Sequence, residues 1–155
     1  MKRYRDKVEG NDKGGSPETY AAGPGFRRVF PALSVTLMTL DEIKSALGAR
    51  ILARAKDMGI RVDMAYCADL MSDVLAFSIT SSLLITGLTN TQVIRTAEVA
   101  DIRAIVFVQS KRPDVDTIAL AEEKRIPLLV TDYSMFDVCG KLYEKGLRSN
   151  AEGGG

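Results

Sequence analysis

Thr86-Gly87-Leu88-Thr89-Asn90-Thr91 combines a glycine turn with hydroxyl and amide side chains. If a strand ends at Thr86 and a helix begins at Thr91, the backbone amides there and the Thr89 and Thr91 hydroxyls become donors for a phosphate or carboxylate. The run lacks the Gly-x-x-x-x-Gly-Lys of a phosphate-binding loop and the Gly-x-Gly-x-x-Gly of a dinucleotide site, so its alternative reading is a turn closed by an Asn or Thr cap. A second segment, Gln109-Ser110-Lys111-Arg112-Pro113, places two adjacent cations behind an apolar run. Lys111 or Arg112 there either pairs with an anionic ligand or partner or lies on a solvated loop. Among the carboxylates, Asp69, Asp73 and Asp132 fall on the same side of the expected sheet. Asp69 and Asp132 directly follow strand-like segments. In those places they suit a cation or a phosphoryl group, and equally suit caps and turns.

What is missing narrows the chemistry further. The chain has no His, so Ser-His and Cys-His catalysis are excluded and the commonest metal ligand is absent. Its two cysteines, Cys67 and Cys139, have no Cys-x-x-Cys spacing, which excludes a zinc site and gives no reason to expect a structural disulfide. Each reads as a small packing group in a reducing, cytoplasmic setting, and neither as a nucleophile. Without Trp, and with five Tyr and five Phe, there is little material for stacking nucleic-acid bases. Twenty-one Lys and Arg against 20 Asp and Glu leave a net charge of +1, too small to attract nucleic acid or anionic lipid globally. The apolar runs are short and interrupted, so no membrane span is expected. No metal or cofactor is expected either.

The elements that position these residues follow from 155 residues that are 46% hydrophobic and 26% charged, the proportions of one ordinary domain. Residues 1–37 are rich in Gly, Lys and Asp, carry seven basic and four acidic side chains, and read as a disordered extension. Residues 38–148 read as the folded domain and 149–155 as a flexible tail. Thr39-Leu40-Asp41-Glu42 has the spacing of a capping box, and Gly48 ends the helix it opens. Strands are expected at Arg50–Ala53, Val62–Ala68, Leu83–Thr86, Ala104–Val108 and Ile126–Thr131. Helices are expected from Asp69 as N-cap to Phe77, over Thr91–Ala100, from Pro113-Asp114 to Lys124-Arg125, and from Ser134 to Gly146. This alternation calls for an α/β fold, a small three-layer sandwich whose mostly parallel sheet is flanked by helices. Ligands of such sheets gather beyond the carboxyl ends of the strands.

The order of these segments resembles the DRTGG domain, and within it small stand-alone proteins related to the N-terminal domain of HPr kinase. The likeness is carried by Leu40-Asp41-Glu42-Ile43 with Leu47-Gly48-Ala49, Asp69-Leu70-Met71-Ser72-Asp73-Val74, Ala104-Ile105-Val106-Phe107-Val108, Ile126-Pro127-Leu128-Leu129-Val130-Thr131 and the stretch Phe136 to Tyr143. Where the family's Asp-Arg would fall, the chain has Asn90-Thr91. Where Thr-Gly-Gly would follow the next strand, it has Gln109-Ser110-Lys111. The resemblance implies a regulatory or ligand-sensing module that often self-associates.

The expected function is therefore non-enzymatic binding of a small anionic metabolite or a partner protein. The ligand residues would be Asp69, Thr86, Gly87, Asn90, Thr91, Gln109, Ser110, Lys111 and Asp132. The rival is phosphoryl or acyl transfer, or phosphate acceptance, at Asp132 or Asp69. A homodimer is expected, through the apolar stripes of the helices at 69–77 or 91–100.

Overall fold

A computed structural model describes residues 36–54, 58–78, 80 and 82–149. Residues 1–35 and 150–155 lie outside these, so the readings of a disordered extension and a flexible tail fall almost wholly beyond the described chain. Described contacts reach back at least to Thr36, whose Oγ1 would stand 2.5 Å from a Cβ built on Gly146.

Among the described residues five strands make the main sheet, in the order β2-β7-β6-β5-β4. They are β2 (Arg50–Ala53), β4 (Ala65–Cys67), β5 (Leu83–Thr86), β6 (Ala104–Phe107) and β7 (Leu128–Val130). Strands β4 to β7 are parallel, and β2 closes the far edge antiparallel to β7. A separate pair, β1 (Met38–Thr39) and β3 (Arg61–Val62), is antiparallel. The expected strand Val62–Ala68 is thus two strands, broken at Asp63-Met64, with its first part diverted to the chain's entry segment.

The apolar residues of each strand alternate between two cores, as a sheet buried on both faces requires. On one face Leu83, Ile85, Val106 and Leu129 pack with Leu40 and Ile43 of α1 (Leu40–Ala46) and with Val138 and Leu142 of α5 (Met135–Glu144). On the other, Leu84, Ile105, Phe107 and Leu128 pack with Val74 of α2 (Met71–Phe77), Val93 and Ile94 of α3 (Thr91–Val99) and Ala121 of α4 (Val115–Lys124). The architecture is a three-layer α/β sandwich. None of the described helices is long and apolar enough to cross a membrane.

Local chemistry fixes the helix ends. Thr39 and Glu42 form the expected capping box, and Gly48 follows the helix at φ +53°. Asp114 accepts from the Thr117 N–H and Ser134 from the Asp137 N–H. Asp69, expected as the cap of α2, does something else. Leu70 holds the N-cap position with no side-chain bond, and the Asp69 carboxylate turns to the neighbouring strand.

Candidate ligand-binding site

The parallel strands end side by side, so the residues following β4, β5, β6 and β7 share one edge of the sheet. At the end of β5, Thr86 is fully buried and its hydroxyl donates to Asp69 Oδ1 at 2.9 Å. The Gly87 N–H donates to the same oxygen at 2.7 Å, and the Leu88 N–H donates to Thr86 Oγ1 at 3.2 Å. One carboxylate from the β4 end therefore holds the turn leading from β5 into α3. Asn90 stands at the N-cap of α3, yet its side chain makes no capping bond. The capping alternative for Asn90 does not hold, and the Asn90–Thr91 end of the helix is closed by no side chain.

Lys111 reaches this turn from the end of β6. A Cβ built on Gly87 would lie 2.9 Å from Lys111 Nζ and 3.5 Å from Asp69 Oδ2. Gly87, unlike Gly48 and Gly146, does not lie at positive φ. Its lack of a side chain serves space rather than backbone freedom: the ammonium folds over the Cα. Lys111 forms no ion pair with the described residues. A cation, a helix start and two polar strand ends thus converge at one point, suited to an anion.

A second cluster lies along the same edge. Asp132 Oδ1 accepts from Ser110 Oγ at 2.6 Å and from Arg50 Nη2 at 2.8 Å. Arg50 was not foreseen as a site residue. It begins β2, and only the antiparallel pairing of Arg50 with Val130 brings it to the carboxyl edge. The Ser110 hydroxyl, followed by the charges of Arg50 and Arg112, holds the exposed Asp132 carboxyl below its ordinary 3.8. A depressed folded-state value contributes stability above the unfolded value, lost as pH falls through the folded one. Ser110→Ala is expected to move the Asp132 titration up toward 3.8, read by carbon NMR of the side-chain carboxyl. An unmoved titration would show that the hydroxyl is not its main partner.

Gln109 and Ser110 both lie at φ +58°, left-handed backbone that L side chains adopt at a cost. The Gln109 N–H donates to Tyr133 O and the Ser110 N–H to Thr131 O, each at 2.8 Å, so β7 holds this loop in place. The resemblance sets Thr-Gly-Gly against 109–111, whereas the positions where glycine would sit without strain are 109 and 110, one residue earlier. Gln109→Gly is expected to stabilise the protein: relief of about 1–2 kcal/mol outweighs roughly 0.5–1 kcal/mol of added chain entropy. A melting temperature a few degrees higher would show it, and a lower one would mean that the Gln109 side chain holds the loop. Ser110→Gly gains less, since it loses the hydroxyl on Asp132.

The structure brings together Asp69, Thr86, Gly87 and Lys111 in one group and Ser110 with Asp132 in another; Asn90, Thr91 and Gln109 flank them. Among the described residues no three His, Cys, Asp or Glu side chains converge as metal ligands. Cys67 and Cys139, read from the sequence as separate packing groups, stand with their sulfurs 3.4 Å apart. A wider cleft of about 590 Å³, lined by residues such as Thr36, Asp41 and Lys145, contains none of the candidate residues.

Comparison with known proteins adds a family and a fold. The sequence profile of the DRTGG domain matches residues 42–144. A similar solved structure is that of the CBS and DRTGG domains of the regulatory region of Clostridium perfringens pyrophosphatase, complexed with its activator diadenosine tetraphosphate. The TM-score is 0.58 at 14% identity, covering 73% of this chain and 51% of that one. The likeness is one of fold, and it spans about half of that regulatory chain. No curated protein matches the sequence.

Proposed function

The chain belongs to the DRTGG domain family, and on that premise we propose that it is a regulatory module without catalysis of its own, which binds a small phosphate-bearing anion at the carboxyl edge of its sheet. The observation that carries this reading is the Lys111 ammonium folded over Gly87 at the start of α3. Asp69 sets the turn and Thr86 locks Asp69 from the buried side; these bonds use up the Gly87 and Leu88 amides and the Thr86 hydroxyl, so the donors left for a ligand are the Thr89 and Thr91 hydroxyls and the first amides of α3. The similar pyrophosphatase region binds a dinucleoside polyphosphate, which makes nucleotides the first class to test. We place the module in the cytoplasm, where its thiols rest in the reduced state.

The test is thermal denaturation with diadenosine tetraphosphate, ATP and inorganic phosphate as separate probes. A probe at 100 times its dissociation constant adds about 2.7 kcal/mol. Lys111→Ala is expected to weaken binding about tenfold, equivalent to about 1.4 kcal/mol. Gly87→Ala should weaken it several-fold with little loss of stability, because the atom displaced is the tip of a flexible lysine. Equal shifts in wild type and Lys111→Ala would move the site elsewhere, and the absence of any shift would overturn the anion reading. A covalent phosphate on Asp132 or Asp69 after treatment with acetyl phosphate would favour the phosphoacceptor instead.

Self-association is a further part of the proposal. Val74, Val93 and Ile94 are consumed by the monomer's own core, while Leu70, Leu75 and Phe77 of the α2 segment stay exposed. With Val99 the one large apolar residue that α3 exposes among the described residues, the α2 segment offers the larger apolar surface and is the proposed dimer contact. Sedimentation equilibrium of wild type and Phe77→Glu reads it directly: the wild type should weigh twice its 16.9 kDa and the variant once.

A further inference from the structure

Cys67 closes β4 and Cys139 lies on α5, and the fold across 72 residues of sequence sets their sulfurs 3.4 Å apart. Both are free thiols; Cys67 is exposed and Cys139 half-buried. They border a cleft of about 320 Å³ whose other walls include Tyr66, Ile85, Leu142 and Arg148. The Arg148 guanidinium stacks on the Tyr143 ring at 4.1 Å and donates from Nη1 to the Tyr143 and Leu147 carbonyls at 2.8 and 3.0 Å. A cation held in place by these contacts therefore sits at the wall of a cleft that contains two adjacent thiols.

We propose that Cys67 and Cys139 form a thiol-exchange site that reacts with small anionic disulfides and closes to an intramolecular disulfide. The Cys139 thiolate attacks one sulfur of the incoming disulfide, and the first small thiol leaves as its thiolate, which takes a proton from water. The Cys67 thiol then gives up its proton, and its sulfur attacks the Cys139 sulfur of the mixed disulfide, expelling the second small thiol. Two protein thiols are oxidised and one small disulfide is reduced to two thiols, so protons and electrons balance. The order of attack follows the surroundings. The hydrogen bond between the two sulfurs draws the Cys139 thiol down to about 7. The bond with Cys139, the partial desolvation of its sulfur, and the charges of Cys139 and Asp69 push Cys67 upward. Closure needs the sulfurs to approach from 3.4 Å to about 2.05 Å. Arg148 favours a disulfide that carries carboxylates.

The chain has only these two cysteines, which makes the bookkeeping clean. Reduced wild-type protein is incubated with excess glutathione disulfide without oxygen, then alkylated and weighed intact, with non-reducing electrophoresis in parallel. The expected product is a monomer lighter by two hydrogens, with no glutathione retained, no alkylatable thiol, and full reversal by dithiothreitol. Cys67→Ser should stop at one retained glutathione, and Cys139→Ser should reach that adduct several-fold more slowly. Two free thiols, two retained glutathiones, or disulfide-linked dimers in the wild type would each overturn the proposal. Equal rates in the two variants would overturn the order of attack.

Discussion

Replacing Phe107 with alanine is expected to remove about 3–5 kcal/mol of stability, the largest loss foreseen for any single change described. Phe107 is fully buried and is the bulkiest of the fully buried side chains among the described residues. It ends β6, the central strand, paired with Thr86 on one side and Val130 on the other, and its ring belongs to the core beneath α2, α3 and α4. Its carbonyl also accepts from the Thr131 N–H at 3.0 Å, so the backbone at this point ties β6 to β7. Truncation removes the ring and leaves a cavity that walls drawn from strands and helices close only in part. Against a total stability of about 5–15 kcal/mol, the loss is a large fraction, and the urea midpoint should fall accordingly. Phe136, 87% exposed, is the control: its alanine variant should change stability by less than about 0.5 kcal/mol. A Phe107→Ala midpoint close to wild type would mean that the central strand is not packed as described.

Asp69→Ala is expected to cost about 1–3 kcal/mol, because it strips the acceptor from the Thr86 hydroxyl and the Gly87 N–H together. The hydroxyl accounts for most of this, since Thr86 is fully buried whereas Gly87 is only half-buried. Asp69→Asn keeps a carbonyl oxygen for both donors and should cost less than half as much. The two variants also part company in binding. Asparagine preserves the turn while removing a negative charge beside Lys111, so anion affinity should rise several-fold, whereas alanine loosens the turn that orients the donors. Chemical denaturation and ligand titration of the pair separate these roles. A weaker anion complex in Asp69→Asn would show that the carboxylate itself contacts the ligand.

The features legible in the sequence are those whose causes are local. The capping box at Thr39-Glu42, the caps at Asp114 and Ser134 and the apolar runs of β5, β6 and β7 all arise within a few residues, and the three-layer architecture follows from their alternation. Features created by distant pairing were hidden. Nothing near Arg50 announces that β2 runs against β7, so its guanidinium arrived at the carboxyl edge unforeseen. Asp69 has the sequence context of a cap, but Thr86 offers its carboxylate a better donor from a strand 17 residues away. The left-handed pair at 109 and 110 carries side chains rather than glycines, and therefore shows no sign in the sequence. Cys67 and Cys139 become neighbours only when α5 folds back over the end of β4.

The sheet's connectivity has a consequence for how the chain is made. Strands β4, β5, β6 and β7 lie beside one another in the order of their synthesis, so each can dock on its predecessor as it leaves the ribosome, with only one short crossover to close each time. Strand β2 is different: Arg50 precedes its partner Val130 by 80 residues. It emerges before the surface that receives it exists, and it must wait through the assembly of three βα units before its edge is covered. The last hydrogen bonds of the sheet to form are thus those that bring Arg50 to Asp132, and the second cluster of the carboxyl edge is completed only when nascent β7 captures the oldest strand of the sheet.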